Sequence, residues 1–460
     1  MSDLSRIVKA YDVRGTVPDQ LNETVARAIG AAFVRTLREN GDKADRVVVA
    51  HDMRESSPGL ATAFAQGVNA AGATVEFAGL ASTDMLYYAA GARDLPGAMF
   101  TASHNPAEYN GIKLCRAGAA PVGQDTGLRQ IQEYAQALID SGEAETLSGP
   151  ERIERHDLLP DYAAHLRTLV DLTQIRPLTV VVDAGNGMGG HTVPAVLGDA
   201  VLPPLPLQIV PMYFELDGSF PNHEANPLDP ANIVDLQRAV REHGADIGLA
   251  FDGDADRCFV VDERGEPVSP SAITAMVAVR ELKKYPGATI IHNLITSKAV
   301  PEIIREHGGN PVRSRVGHSF IKREMARTNA VFGGEHSAHY YFRDFWYADT
   351  GMLAAMHVLA ALGEQSRPLS QLVGEFERYV SSGEINSRVE DQQSKLDEVK
   401  RAYAGAQLDE LDGLTVLFDD GAWLNLRPSN TEPLLRLNVE APTAERMAAL
   451  RDEVLAIVRS

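Results

Sequence analysis

Residues 97–106 read GAMFTASHNP, a short apolar run followed by a polar turn. The apolar residues Gly97–Phe100 predict a buried strand. The Asn105–Pro106 pair disfavours helical geometry at Asn105 and marks a turn. Ser103 is therefore presented at the mouth of a strand, where an attacking or phosphorylated hydroxyl would lie. On this stretch alone, a turn hydroxyl beside a surface histidine, His104, is the simpler explanation.

Strand and helix patterns alternate on both sides of this turn. The run Val47–Ala50 is continuously apolar and rich in valine, as expected for a buried parallel strand. Such alternation indicates crossover units and an α/β fold. Comparable rounds open at residues 179–183 and 288–291, which suggests a degenerate internal repeat of about a hundred residues. The proline-rich stretch Pro203–Asn226 is predicted to be irregular.

The final segment has a different pattern. Residues 414–418, 423–426 and 434–439 predict strands in quick succession. Thr443 can then cap a last amphipathic helix. This indicates an α+β module. Polar residues 142–150 and the stretch Ser366–Pro368 are plausible boundaries along the chain.

Composition limits the class of protein. The chain has 460 residues, of which 44% are hydrophobic and 23% charged, as in globular proteins with real cores. The two cysteines cannot form a disulfide framework, so a cytoplasmic location is expected. The sequence shows neither a signal core nor an apolar run of membrane-spanning length. A net charge of −20 disfavours nucleic-acid binding and requires that any anionic substrate meet locally concentrated basic residues.

The loop Asp252–Arg257 (DGDADR) follows a predicted strand and carries carboxylates at alternate positions. Three carboxylates can converge on one hard cation and leave room for a phosphate oxygen, which suits Mg²⁺. An EF-hand is rejected because Arg257 occupies the position that needs glycine, although Glu263 falls at the twelfth position. A solvated acidic turn is the alternative.

Two further loops carry polar groups. Gly333–His339 (GGEHSAH) contains two histidines, but zinc would need more ligands, so Glu335 and Ser337 are better read as partners for vicinal sugar hydroxyls. Arg427–Pro433 (RPSNTEP) offers a guanidinium, hydroxyls and backbone N–H groups that match a phosphate dianion, or it is an ordinary hairpin turn.

Two other features bear on anion binding. The glycine loop Ala184–Gly190 could cradle phosphate, although a tight strand–helix turn is at least as good an explanation. Basic residues beside the candidate loops would meet the requirement set by the acidic charge; they are Arg14, Lys113, Arg257, Lys298, His318 and Arg427.

Four stretches in this order resemble the α-D-phosphohexomutase family: Thr101–Pro106, Asp252–Arg257, Gly334–His339 and Arg427–Pro433. The match spans essentially the whole chain. Tyr11–Gly15 (YDVRG) and the loop containing Asn430 are similar to the phosphomannomutase/phosphoglucomutase branch. Ala255 stands where the family often has glycine, and His336 and Ala338 vary positions beside the sugar contacts.

The resemblance implies three similar mixed α/β domains and a C-terminal α+β domain of the TATA-binding-protein-like kind around a central cleft. The expected domains are 1–149 with the phosphoserine loop, 150–264 with the metal loop, 265–366 with the sugar loop, and 367–460 with the phosphate-binding loop.

The resemblance also implies roles for individual residues. Ser103 would carry a phosphoryl group, and Asp252, Asp254 and Asp256 would hold Mg²⁺ together with an oxygen of Ser103. Arg14, Lys113 and His318 would surround the reacting end, with Lys113 slightly favoured over His318 as general base if its pKa were depressed. The substrate-binding residues would be Tyr11, His104, Arg257, Lys298, Glu335, Ser337, His339, Arg427, Ser429, Asn430 and Thr431.

The implied enzyme interconverts hexose 1-phosphate and hexose 6-phosphate through a bound 1,6-bisphosphate, which would also serve as activator. A phosphosugar would be the partner, with neither nucleic acid nor membrane, and the enzyme would be a monomer or small homo-oligomer. The sequence leaves open mannose, glucose or glucosamine as substrate. Phosphoglucosamine mutase, an Mg²⁺-dependent sugar phosphatase and a non-catalytic sugar-phosphate-binding protein are the alternatives.

Overall fold

The computed structural model of the protein describes residues 3–429 and 434–460. Within these residues the chain forms four β-sheets, one after another along the sequence. The first three sheets mix parallel and antiparallel strands, and the fourth is antiparallel. This confirms the predicted fold class of three mixed α/β units and a C-terminal α+β unit.

The first unit has its sheet in the order β1-β5-β4-β2-β3-β7, with β6 paired to β5. Its strands are β1 (Val13–Thr16), β2 (Arg46–His51), β3 (Thr74–Leu80), β4 (Gly97–Phe100), β5 (Tyr109–Arg116), β6 (Ala120–Pro121) and β7 (Ile153–Arg155). Its helices are α1 (Glu23–Glu39), α2 (Ser57–Ala70), α3 (Thr83–Ala92), α4 (Leu128–Asp140) and α5 (Glu143–Thr146). The predicted strand at 97–100 is β4, parallel to β2.

The second unit has the sheet order β12-β11-β10-β8-β9. Its strands are β8 (Leu178–Asp183), β9 (Leu207–Met212), β10 (Ile247–Phe251), β11 (Cys258–Asp262) and β12 (Pro267–Val268). Its helices are α6 (Leu159–Leu169), α7 (Gly189–Val196) and α8 (Val234–His243). Because β8 and β10 are parallel, the glycine loop after β8 and the acidic loop after β10 meet at one edge of the sheet.

The third unit has the sheet order β14-β13-β15-β16-β17. Its strands are β13 (Thr289–Asn293), β14 (Asn310–Ser314), β15 (Phe332–Gly334), β16 (Tyr340–Phe342) and β17 (Ala348–Asp349). Its helices are α9 (Pro270–Lys284), α10 (Ala299–Glu306), α11 (His318–Thr328), α12 (Gly351–Gly363) and α13 (Leu369–Val373). The sugar-loop residues follow β15, which is parallel to β13.

The C-terminal unit has the sheet order β18-β22-β21-β20-β19. Its strands are β18 (Val380–Arg388), β19 (Gln407–Asp409), β20 (Leu414–Leu417), β21 (Trp423–Pro428) and β22 (Leu434–Ala441). Its helices are α14 (Gln392–Ala402) and α15 (Ala444–Val458). Thr443 caps α15 as predicted, because its side chain accepts a hydrogen bond from the backbone N–H of Arg446.

One prediction is wrong. The stretch Pro203–Asn226, expected to be irregular, contains strand β9. Pro211 lies within this strand, opposite Val182 of β8. In the described residues β9 pairs with β8 alone, at the edge of the sheet, where a proline lacking an N–H is tolerated.

The first three units share a hydrophobic core, whereas the C-terminal unit has its own. A buried carboxylate marks the junction of the three. Asp84 of the first unit accepts hydrogen bonds from the hydroxyls of Tyr162 at 2.6 Å and Thr350 at 2.7 Å, which belong to the second and third units. The described helices include none that combines the length and the apolar character needed to cross a bilayer.

An aromatic contact closes the same junction. Trp346 of the third unit stacks on His165 of the second, with ring centroids 5.2 Å apart. It also lies against Gly91 of α3, where an added Cβ would come within 2.1 Å of the indole. The glycine at 91 is therefore required by a close interunit approach.

We expect Gly91→Ala to destabilise the protein by about 1–3 kcal/mol, because the new methyl group overpacks the indole of Trp346. Gly59→Ala is the matched control, since Gly59 is an exposed helical glycine whose added Cβ would meet only the Glu23 side chain, at 3.3 Å. That control should gain about 0.5–1 kcal/mol from its better helix propensity. Urea unfolding measures the free energy of unfolding of both variants. If Gly91→Ala were stabilised as much as Gly59→Ala, the close approach of Gly91 to Trp346 would be contradicted.

Candidate active site

The Ser103 turn lies where the first two units meet. Ser103 is buried and has a φ of +51°, in the left-handed region. Its hydroxyl donates a hydrogen bond of 2.7 Å to the carboxylate of Asp252. The Nδ1 atom of His104 lies 3.2 Å from the Ser103 hydroxyl oxygen. The next residue of the acidic loop, Gly253, is so close that an added Cβ would come within 2.3 Å of the Ser103 carbonyl oxygen. The turn and the acidic loop are thus fitted to each other.

The acidic loop gathers three buried carboxylates. Asp252, Asp254 and Asp256 each offer an oxygen atom, and these oxygens lie within 4.8 Å of one another. Lys113 of the first unit donates to Asp254 at 2.7 Å and to Asp256 at 2.6 Å. Thr83 donates to Asp254 at 2.5 Å. The loop turns at Ala255, whose φ of +59° explains why glycine would suit this position.

The remaining oxygens of this cluster fit a divalent cation. The Oδ1 atoms of Asp254 and Asp256 are buried and lack a hydrogen-bond partner among the described residues. Buried carboxylate oxygens without donors are costly unless a cation completes them. Hard oxygen ligands close to the Ser103 hydroxyl suit Mg²⁺ and leave room for a phosphoryl oxygen.

The charges shift several pKa values. Burial raises the pKa of Asp252 to about 7, despite Arg257. Against the opposing effect of burial, Lys113 lowers the pKa of Asp254. Burial also opposes the protonated form of Lys113, but Asp254 and Asp256 outweigh it and raise the pKa of Lys113 well above its usual value. In this arrangement of charges the pKa of Lys113 is raised and not lowered, and its role as general base stays a prediction.

The sugar loop is tied to the acidic loop. Arg257 and His339 form an isolated antiparallel bridge, and the guanidinium of Arg257 donates to Asp252 at 2.9 Å. Glu335 is buried and accepts hydrogen bonds from the Gly317 N–H at 3.1 Å and the Tyr341 hydroxyl at 2.6 Å.

The two histidines of the sugar loop diverge. His339 contacts the Ser337 hydroxyl at 2.9 Å, whereas His336 lies 3.3 Å from the hydroxyl of Ser271. Among the described residues they share no cluster of metal-ligating groups. The two histidines therefore do not converge on one site.

Tyr11 and Arg14 come from the first unit, and His318 begins helix α11 of the third unit. The guanidinium of Arg14 donates to the Asn105 side chain at 2.5 Å, in the Ser103 turn, and pairs with Asp12. The rings of Tyr11 and His318 meet edge to face with centroids 4.2 Å apart. Burial lowers the pKa of His318, which favours the neutral form of its imidazole.

The predicted phosphate-binding residues lie on the C-terminal side. Arg427 forms an ion pair of 2.8 Å with Glu384, and the backbone N–H of Lys298 donates to Glu440 at 2.9 Å. Ser429 follows β21, where its N–H donates to the Leu434 carbonyl. Asn430 and Thr431 lie outside the described residues. These contacts join the Arg427 side chain and the backbone of Lys298 and Ser429 to the C-terminal unit.

The glycine loop after β8 supports the metal loop. The N–H of Met188 donates to the Gly253 carbonyl at 2.9 Å, and that of Gly187 donates to Ala184. An added Cβ at Gly187 would come within 2.7 Å of the Gly253 carbonyl oxygen. These N–H groups are directed at the chain, which supports the structural explanation of this loop over phosphate binding.

Sequence reasoning missed four residues that hold the site. Arg54 binds the Ser103 turn, and Thr83 binds Asp254. The buried pair Lys322 and Asp349 lies beside His339. A signal existed for Arg54, because it lies three residues after β2, and β2 is parallel to β4, the strand that precedes Ser103.

A hydroxyl beside a buried carboxylate triplet, with a lysine and an arginine at hydrogen-bond distance of those carboxylates, defines a metal-assisted phosphoryl-transfer site. The class of protein indicated is therefore an enzyme that moves phosphoryl groups.

Comparison with known proteins identifies the family. Models of phosphoglucomutase/phosphomannomutase match in four parts: alpha/beta/alpha domain I over residues 5–140, domain II over 160–265, domain III over 269–379, and the C-terminal domain over 384–457. The chain belongs to the phosphoglucomutase/phosphomannomutase family.

Individual relatives agree. The chain is 41% identical to a protein named phosphohexose mutases from Xanthomonas campestris, over 94% of each chain. It is 38% identical to a phosphomannomutase of Vibrio cholerae, covering 97% of this chain and 96% of that protein. A crystal structure of a family protein from Burkholderia thailandensis superposes with a TM-score of 0.87 at 33% identity, covering 100% of this chain and 98% of that one.

We expect Asp256→Asn to weaken Mg²⁺ binding at least about tenfold, because it removes a charged ligand from a converging set. Asp171→Asn is the control, since Asp171 is exposed in the loop before β8. Isothermal titration calorimetry with Mg²⁺ measures the affinity, and circular dichroism checks the fold. Equal Mg²⁺ affinity in a folded Asp256→Asn variant would rule out the assigned ligand.

Proposed function

We propose that the enzyme is a phosphomannomutase/phosphoglucomutase, an isomerase that interconverts the 1-phosphate and 6-phosphate of mannose, glucose or both. Its resting form carries a phosphoryl group on Ser103, and a hexose 1,6-bisphosphate is the intermediate and the activator. The supporting observation is the hydroxyl of Ser103, which lies 2.7 Å from Asp252 in a buried triplet of carboxylates.

Ser103 gives its phosphoryl group to one hydroxyl of the bound sugar phosphate and later takes the other phosphoryl group back. Asp252, Asp254 and Asp256 would hold Mg²⁺ together with an oxygen on Ser103, and Mg²⁺, when bound, supplies charge neutralisation for the transfer. Lys113, which is half-buried, and Arg257, which is buried, are cations beside the same carboxylates.

The general base is proposed to lie at the reacting end. The two candidates are Lys113, which forms ion pairs with Asp254 and Asp256, and His318, whose pKa burial lowers. Arg14 and Tyr11 complete this end, with His104 beside the Ser103 hydroxyl.

One site must hold the sugar in two orientations. Glu335 and Ser337 are proposed to bind its hydroxyls near the axis of rotation. Each carboxylate oxygen has two lone pairs, so Glu335 can accept from a sugar hydroxyl in addition to its present donors. The non-reacting phosphate is assigned to Lys298, His339, Arg427, Ser429, Asn430 and Thr431. Of these, Lys298 and Arg427 provide the local positive charge that an acidic chain needs for a phosphosugar substrate.

The four divisions of the chain correspond to four functions: phosphoserine, metal, sugar and distal phosphate. We propose the limits 1–149, 150–264, 265–366 and 367–460, although β7, β12 and α13 extend the first three units a few residues beyond them. A phosphatase is not favoured, because the relatives of this chain are named as mutases. Neither is a phosphoglucosamine mutase.

Ser103→Ala should abolish turnover, by at least about a thousandfold, because the phosphoryl carrier is removed. Intact-mass analysis should show one phosphate on the wild-type protein after treatment with glucose 1,6-bisphosphate and none on this variant. Ser141→Ala, at an exposed serine after α4, is the control and should keep both the phosphate and the activity. Full activity of Ser103→Ala would refute the proposed mechanism.

Arg427→Gln should lower kcat/KM about 10–100-fold, mainly through KM, because a charge-assisted hydrogen bond to phosphate contributes about 1.5–3 kcal/mol. Arg436→Gln is a matched control, since Arg436 lies opposite Arg427 on β22 and pairs with the same Glu384. Steady-state assays with mannose 1-phosphate and glucose 1-phosphate measure both variants. Similar KM values for the two would remove Arg427 from the phosphate site.

A further inference from the structure

Arg54 is a buried cation that the mechanism does not use. It follows β2 in the first unit and is 1% exposed, with its Nε 3.3 Å from the carboxylate of Asp52, which is 0% exposed. Asp52 is held in turn by the Ser57 hydroxyl at 2.6 Å. The carboxylate of Asp52 therefore balances the charge of Arg54.

The guanidinium of Arg54 donates hydrogen bonds to one short segment of the chain, residues 103–109. Its terminal nitrogens donate to the carbonyl oxygens of Ser103 at 2.9 Å, Asn105 at 2.6 Å, Pro106 at 2.8 Å and Tyr109 at 2.9 Å. The turn's own backbone supplies the N–H of Asn105 to Ala102 and that of Tyr109 to Pro106. Arg54 thus braces the entire turn from inside.

We infer that Arg54 is a positioning residue, which holds the Ser103 turn so that the serine oxygen faces the acidic loop. Ser103 occupies a left-handed conformation that surrounding structure must enforce. A planar guanidinium can donate to several carbonyls at fixed angles, whereas a lysine ammonium cannot span them. This inference rests on the proposed phosphoryl-carrying role of Ser103.

The test compares Arg54→Lys with Arg167→Lys. Arg167 also donates to three carbonyl oxygens, those of Val196, Gly198 and Pro203, and it lies in the second unit away from the site residues. We expect Arg54→Lys to lower kcat about a hundredfold with KM nearly unchanged, because a shift of about 1 Å in the nucleophile is that costly and sugar binding uses other loops. The rate at which glucose 1,6-bisphosphate phosphorylates Ser103, followed by intact mass, should fall in parallel. Arg167→Lys should lose thermal stability at unchanged kcat.

A folded Arg54→Lys variant with wild-type kcat would overturn the inference, as would a loss that only tracks the folded fraction. If Arg54→Lys fails to fold, Asp52→Asn decides, since it keeps the arginine and weakens its anchor. It should lower kcat at least about tenfold at unchanged KM, and wild-type kcat would overturn the inference. Ser103→Ala separates the two proposals: if it is inactive while Arg54→Lys is fully active, only the role of Arg54 fails.

Discussion

Three carboxylates buried together are the constraint on which the site depends. Removing like charges from water costs several kcal/mol for each ion unless cations and hydrogen bonds compensate. Asp252, Asp254 and Asp256 come from one loop, but Lys113, which binds two of them, comes from the first unit. The electrostatics of the metal loop therefore require the first and second units to stay in contact, and that contact places Ser103 against the same carboxylates. The Oδ1 atoms of Asp254 and Asp256, which lack a hydrogen-bond partner in the described part of the chain, mark where a cation would complete the set.

The three units that carry the phosphoserine, metal and sugar loops are packed together, whereas the C-terminal unit is packed separately. The first three units share a core and a buried junction at Asp84, so the phosphoserine, metal and sugar loops have fixed relative positions. The C-terminal unit has a separate core and contacts the third unit through polar groups, such as Glu440 with Lys298 and Asp409 with Arg313. A unit of this kind can move as a body, which suits a substrate that must turn over between two transfers.

The sequence predicted what is local. Each of three predicted features is encoded within a few consecutive residues: the apolar strand before Ser103, the alternating aspartates after β10 and the succession of strands at the C-terminus. The structure contains the predicted strands. The sequence did not predict the contacts between residues that are far apart in the chain. Thr83 and Asp254 are 171 residues apart, and Arg54 lies 49 residues before Ser103. The pKa of Lys113 depends on carboxylates of another unit, so a preference for it as base could not be judged from its neighbours. Strand β9 was missed because a proline is normally evidence against a strand, and only the topology shows that this strand is at an edge.

The central claim is that a phosphoryl group on Ser103 shares a divalent cation with the acidic loop. Phosphorus NMR of the phosphorylated enzyme with Mn²⁺ in place of Mg²⁺ tests this most directly, because a paramagnetic ion broadens only nuclei close to it. The account predicts that substoichiometric Mn²⁺ selectively broadens the phosphoserine resonance and that Asp254→Asn removes the effect at the same Mn²⁺ concentration. A phosphoserine resonance that stays sharp in the wild-type enzyme when Mn²⁺ is bound would contradict it.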